Sequence, residues 1–423
     1  MKISKIIILS LIPILIIALM FITSCKKEIT EETTSSTIIE ETTTETIVAE
    51  SSISEETTAE DMNELDPFIL QNREFWTKYH QSTELNWKVP YDETPSFDEI
   101  LVLTKAEVEE IRSKNYTYAV CENNLAGEYS VASNKGIDDI LSYLGMKKIA
   151  FTSADFDPVR QKNDVESVVA LKPDLIIGHP TDPTTSAESF MPVVEAGIPL
   201  VMLDTLPKGY TYGKEVLSVA TDNGYEVGVY CANMMNELIG DKGKLGYVYY
   251  DDIYYICNQM DQAFIETIEK KYTTMQVVAK QGYVAESGAG EAAAAIIQRY
   301  PEVEGLYTTY MVPAMFMVSA CQDAERSDIK IVTFGIDAPV IIDLIEDGNI
   351  KALVIDSPWN IGMNLGILGA YALLGKEAPP LVVVPNIIVT NENKEIIREV
   401  WQNATHSEKI PDNLDETLKK YGL

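Results

Sequence analysis

Short apolar runs alternate with stretches of helical spacing from residue 116 to residue 389, and the alternation runs through twice. The first round predicts strands at 116–121, 147–152, 175–178 and 199–203, separated by helices at 129–143, 157–171 and 184–196. Gly145 and Gly197 stand just past two of these helices, where a left-handed residue ends a helix well. The second round predicts helices at 226–239, 258–271, 290–300, 313–324, 338–346 and 362–374. Its strands are predicted at 244–249, 275–279, 305–309, 329–334 and 350–355, with a last β-like stretch at 381–389. Strands that are apolar throughout, rather than at every second residue, belong to parallel sheets covered on both faces. Two such units in succession predict an α/β protein of two similar lobes, each a parallel sheet flanked by helices. Ligands of open α/β sheets bind beyond the carboxyl ends of the strands.

The segment 61–113 reads as a lead-in rather than a core domain. Phe75, Trp76 and Tyr79 can pack as one cluster, and Thr104 with Glu107 forms a capping box ahead of a helix. The start of the chain carries an export signal. Lys2 and Lys5 precede an apolar run over 6–22, which ends in Ile22-Thr-Ser-Cys25. This resembles a bacterial lipoprotein signal over residues 1–25, with Cys25 as the lipidated residue. Two acyl chains on such a cysteine hold a protein stably at the extracytoplasmic face of a cell membrane. Of the 35 residues at 26–60, 10 are Glu, 10 Thr and 5 Ser, with no aromatic residue. That composition buries too little apolar surface to offset chain entropy and predicts a disordered, self-repelling tether. Cys121, Cys231, Cys257 and Cys321 each sit in an apolar run without C-x-x-C spacing, so buried free thiols are expected and a zinc site is not.

Charge and residue types exclude several function classes. Lys+Arg is 33 against 65 Asp+Glu, a net charge of −32, which argues against a nucleic-acid partner. The three histidines, His80, His179 and His406, are far apart in sequence, so neither a metal nor a catalytic cluster is expected. Ser287-Gly-Ala-Gly290 is a lone glycine pair without the rest of a dinucleotide fingerprint. No enzyme activity, metal or organic cofactor is expected.

Several stretches carry a family likeness: Lys172-Pro-Asp-Leu-Ile-Ile-Gly178, Glu195-Ala-Gly-Ile-Pro-Leu-Val-Met-Leu-Asp204, Tyr300-Pro-Glu-Val-Glu-Gly-Leu-Tyr307, Ile329-Lys-Ile-Val-Thr-Phe334 and Leu374-Gly-Lys-Glu-Ala-Pro379. Their order and spacing resemble the ribose-binding group of bacterial ABC transporter sugar-binding proteins, over about residues 114–391. The resemblance implies the type I periplasmic binding protein fold with a multi-crossover hinge. The chain would cross between lobes near 220–223, 356–359 and 385–386. Lobe one would then comprise 114–222 and 357–384, lobe two 223–356 and 385–395, with a tail at 396–423.

A sugar site needs planar polar groups for paired hydroxyls and aromatic faces for the C–H faces of the ring. The strand ends supply both. The candidates in lobe one are Glu122, Asn123, Tyr129 and Asp204. Tyr255, Asn258, Tyr310 and Asp337 follow in lobe two, and Asp356 and Trp359 lie at the return crossing. Where the ribose-binding group offers Arg, this chain has Thr205 and Asn258. Buried acids need donors, so the ligand should donate many hydrogen bonds or carry positive charge, and a carboxylated or phosphorylated ligand is not expected. The resemblance implies a lipid-anchored receptor that passes a small neutral polyhydroxylated ligand to a membrane ABC permease. A co-receptor of the same fold that reports its ligand to a membrane sensor kinase is the alternative. The export signal and the lack of a basic headpiece argue against a repressor of this fold.

Overall fold

The computed structural model describes residues 64–70, 75–76 and 95–423. The export signal, Cys25, the tether and Tyr79 lie outside the described residues. Among those described, no helix is long and apolar enough to cross a membrane.

In chain order the elements are α1 (Pro67–Leu70), β1 (Ser96–Phe97), α2 (Lys105–Lys114), β2 (Thr117–Glu122), α3 (Gly127–Tyr143), β3 (Lys147–Ser153), α4 (Pro158–Ala170), β4 (Leu175–Gly178), α5 (Ser186–Glu195), β5 (Leu200–Leu203) and β6 (Val219–Asp222). Then come α6 (Gly224–Ile239), β7 (Lys244–Tyr250), α7 (Tyr255–Lys271), β8 (Gln276–Tyr283), α8 (Gly288–Arg299), β9 (Gly305–Tyr307), α9 (Met311–Asp323), β10 (Lys330–Phe334), α10 (Ala338–Ile345), β11 (Ile350–Ile355) and α11 (Pro358–Leu374). Strands β12 (Leu381–Val384) and β13 (Ile387–Thr390) and helices α12 (Ile397–Thr405) and α13 (Asp412–Tyr421) complete the chain.

Two sheets result. One has seven strands in the order β1-β12-β6-β5-β4-β2-β3, every neighbouring pair parallel. The other has six, β13-β11-β10-β9-β7-β8, parallel except where β13 runs antiparallel to β11. The chain therefore passes between sheets three times: after β6, after β11, and between β12 and β13. The apolar stretch 381–389 is two strands, one in each sheet, broken at Pro385-Asn386.

The segment before β2 is more than a lead-in. Strand β1 extends the first sheet at its edge, and Ile69, Leu101, Leu103, Val108 and Ile111 join the same buried cluster as Val120, Ile177 and Val201. The capping box of α2 is formed in both directions: Thr104 accepts from the Glu107 amide and Glu107 accepts from the Thr104 amide. The tail is two helices whose Val400, Trp401, Leu414 and Leu418 pack into the core of the second sheet.

One helix crossing fixes the floor of the cleft. Gly136 of α3 and Gly362 of α11 face each other so closely that an added Cβ would come within 2.1 Å of the Trp359 carbonyl oxygen and 1.9 Å of the Ser133 carbonyl oxygen, respectively. Only glycine permits that backbone approach. The crossing seats α3, which carries Tyr129 in its first turn, against α11, which follows Asp356. Cys121, Cys231 and Cys321 are buried and Cys257 half-buried, all as free thiols.

Candidate functional site

The carboxyl ends of the first sheet's strands converge on a buried polar network. Glu122 and Asn123 leave β2, His179 follows β4, Asp204 follows β5, and Asp222 and Asn223 end β6. At its centre is His179. Its Nδ1 lies 2.8 Å from Glu122 Oε2 and its Nε2 lies 3.3 Å from Asp204 Oδ2. Burial by itself would lower this imidazole, but the Glu122 charge and the hydrogen bonds to Asp204 and Glu122 outweigh it, and the group is pushed up to about 9. His179 is thus an imidazolium at neutral pH, donating from one nitrogen to Glu122 and from the other toward Asp204. The cleft holds a cation after all, supplied by histidine where the sequence pattern offered no arginine.

Asp204 adopts a left-handed backbone, φ 62°. Asp tolerates this conformation better than most residues, yet it still costs about 1–3 kcal/mol. The turn aims the carboxylate at Tyr129, whose hydroxyl donates at 3.1 Å, and at Thr221, which donates at 2.9 Å. Glu122 also accepts from Asn134 Nδ2 at 2.8 Å.

Asp222 and Asp356 differ from these satisfied acids. Asp356 has no side-chain exposure to solvent, and neither of its carboxyl oxygens has a hydrogen-bond partner. Asp222 Oδ1 lies 3.0 Å from Thr221 Oγ1, whose single proton the bond to Asp204 uses, and its Oδ2 has no partner. Burial and the nearby Asp204 charge raise Asp356 to about 8. Burial, then the charges of Asp356 and Asp204, hold Asp222 well above the ordinary carboxylate range. Asn223 Nδ2, beside them, also lacks a partner. An open cleft would leave such acids hydrated; here both are buried.

Lobe two closes through few groups. Asn123 Nδ2 donates to the Tyr254 hydroxyl at 3.3 Å, and His179 Nε2 lies 3.1 Å from the same oxygen. Asp337 Oδ1 accepts from the Glu128 amide at 3.2 Å, at the start of α3. Tyr255 packs against the lobe-one cluster that contains Cys121 and Phe190.

The structure therefore brings Glu122, Asn123, Tyr129, Asp204 and Asp356 together, with Asp337 and Tyr255 at the lobe boundary. Tyr310 donates to Glu286 at 3.0 Å and packs on the second lobe's core. Asn258 is committed to its own loop, accepting from the Tyr254 amide and donating to the Asp252 carbonyl. Trp359 corrects the expectation drawn from its sequence position. It is fully buried, stacked on His406 at 4.1 Å, with Nε1 donating to Asp139, so no face of the ring is open to a ligand. Sequence reasoning missed His179 and Asp222 as members of one network. The available signal was position: His179 ends its strand just as Asp204 does.

With this geometry in view, comparison with known proteins is decisive on family. A profile described as periplasmic binding protein domain matches residues 119–377. The chain belongs to the periplasmic binding protein family. Its fold is the type I periplasmic binding fold of two α/β lobes. This binding protein is 22% identical over 273 residues to the ribose import binding protein of Bacillus subtilis (strain 168), a match covering 64% of the chain and 86% of that relative. A solute-binding protein of an ABC transporter from Agrobacterium vitis, solved with alpha-D-tagatopyranose, matches with a TM-score of 0.61 at 24% identity, over 66% of this chain and 95% of that one. Another from Bacillus halodurans, solved with myo-inositol, gives a TM-score of 0.60 at 16% identity, over 68% and 98%. At these identities the structural likeness speaks for the fold.

Proposed function

We propose that this protein captures a sugar or polyol between its lobes and delivers it to a membrane ABC permease, held at the extracytoplasmic face by lipid on Cys25. The observation that carries the reading is the set of buried polar atoms left without partners where the strand ends of both sheets meet, Asp222 Oδ2, Asp356 Oδ1 and Oδ2 and Asn223 Nδ2. Buried polar groups are nearly always hydrogen-bonded, and a polyhydroxylated ligand supplies donors and acceptors at close spacing. Tyr129 and Tyr254 bring their hydroxyls to the same network. No group in this account performs a covalent step, which fits a carrier that releases its ligand unchanged. A thermal-shift screen of the detergent-solubilised chain against sugars and polyols tests the reading. A ligand at 100 times its dissociation constant stabilises by roughly 2.7 kcal/mol. A screen in which no sugar or polyol raises the melting temperature refutes it.

A further inference from the structure

The acids of the cleft divide into two sets. Glu122 and Asp204 share the one positive charge of His179, which offsets one of their two negative charges, and neutral donors from Asn134, Tyr129 and Thr221 serve their other oxygens. Asp222 and Asp356 have no such counter-charge: among the described residues no lysine or arginine pairs with either. Asp356 is 0% exposed and Asp222 2% exposed. A buried ionised carboxylate requires a counter-charge or a proton. Neither is this a metal seat, since among the described residues no group of three or more His, Cys, Asp or Glu is placed to hold a metal ion.

From this we propose that the ligand of the cleft carries a protonated amine, seated on the vacant oxygens of Asp222 and Asp356, within a hydroxyl-bearing frame: an amino sugar or amino polyol. The inference rests on the cleft being the capture site for a sugar-like molecule and specifies its chemical class. A neutral hydroxyl donates one proton and brings no charge, whereas an ammonium brings three donors and a full positive charge. Three carboxyl oxygens stand vacant here, Asp222 Oδ2 and both of Asp356, which matches the ammonium count. Asn223 Nδ2, also vacant and buried, needs an acceptor. An ammonium cannot be one and a hydroxyl can, so the ligand requires both groups. The groups that act on the pair electrostatically are Asp204, Tyr129, Cys257, Thr221 and, through Asp204, His179. Of these only His179 is cationic, and both its nitrogens are committed.

In the empty protein the pair keeps a proton, because burial holds Asp356 at about 8. An arriving ammonium takes over that role, and the displaced proton leaves to the buffer. Binding of a cationic ligand therefore releases about one proton near neutral pH, and binding of its neutral parent releases none.

Isothermal titration of the full chain tests this. Glucosamine, galactosamine and mannosamine are compared with glucose, galactose and mannose, and with ethanolamine, in two buffers of different ionisation enthalpy. The expected result is an amino sugar bound on the order of ten- to a hundred-fold more tightly than its parent, with release of close to one proton. Asp356→Asn and Asp222→Asn, each confirmed folded by melting, should abolish both the preference and the release. Parents that bind as tightly as their amines, or amines that bind without proton release, overturn the inference. If only the neutral sugars bind, the amine falls and sugar capture stands. If only ethanolamine binds, the sugar frame falls and the cation seat stands. Silence across the panel overturns both.

Discussion

Replacing Asp356 with Asn should flatten part of the protein's stability-versus-pH profile, with a magnitude that follows from burial. An unfolded Asp ionises near its ordinary value of 3.8, whereas in the folded protein Asp356 is held at about 8. The folded state therefore keeps a proton that the unfolded state releases. Stability falls as pH rises from the lower value toward the higher one, by about 1.4 kcal/mol per pH unit. Between about pH 5 and about pH 7 the parent should lose about 3 kcal/mol from this group that Asp356→Asn does not lose. At about 2 °C per kcal/mol for a chain of this size, the melting temperature of Asp356→Asn relative to the parent should rise by about 6 °C over that interval. The amide introduces donors that the site does not satisfy. That offset is the same at every pH, so the change in the gap carries the test and the gap itself does not. Asp222, relieved of a like charge in the variant, shifts the difference in the same direction. Parallel melting profiles for parent and variant would show that Asp356 is hydrated and that its carboxyl ionises normally.

Four further outcomes are expected. His179→Ala strands two buried carboxylates and should cost about 3–5 kcal/mol by melting at mildly acidic pH; in the parent, the stabilisation from this raised imidazole is fully present below its ordinary value of 6.5 and is lost as pH rises through about 9, so a variant that melts like the parent at mildly acidic pH contradicts the ion-pair network. Gly362→Ala forces a methyl into the Ser133 carbonyl and should destabilise by about 3 kcal/mol in urea unfolding, a loss that would be absent if α3 and α11 crossed at ordinary distance. Asp204→Ala should weaken binding of any sugar found by the screen about ten- to a hundred-fold by titration calorimetry, and an unchanged affinity removes it from the ligand site. Cys25→Ser should abolish incorporation of labelled fatty acid and leave ligand affinity unaltered; continued labelling refutes lipidation at that residue.

Much of the architecture was legible because parallel strands buried on both faces are continuous apolar runs, as in Leu175–Gly178 and Leu200–Leu203. What was hidden lacks that signature. Strand β6 is Val-Ala-Thr-Asp, four residues of which two are polar, and it reads as a crossing point although it pairs with β5 on one side and β12 on the other. Strand β1 is two residues long and exists only because β12 offers an edge. Helix α12 did carry a signal, with Ile397, Val400, Trp401 and Ala404 at helical spacing and all buried. At the site, position at strand ends found Glu122, Asn123, Asp204 and Asp356. It failed for His179, because a lone histidine was weighed as a metal or catalytic group, and its role as a counter-ion depends on two acids 57 and 25 residues away in sequence. It failed for Trp359, because one turn of helix α11 carries that ring behind the cleft into the core.

The placement of charge also divides the work between the lobes. The floor of the cleft is built from the ends of β2, β4, β5 and β6 and from the β11 crossing, and it holds Glu122, Asp204, Asp222 and Asp356. Its geometry is over-determined by a left-handed Asp204, a glycine-glycine helix crossing and a buried imidazolium. The roof over the network consists chiefly of a tyrosine hydroxyl resting on His179 and Asn123. Neutral hydrogen bonds of this kind contribute about 0.5–1.5 kcal/mol each, whereas an uncompensated buried charge costs several. On the proposed function, selection among ligands by charge would belong to the floor, and the balance between open and closed lobes to the roof. A ligand seated as proposed would lower the free energy only where the roof excludes water, so charge recognition and closure would be coupled. Affinity for the correct ligand and the drive to close would then rise together.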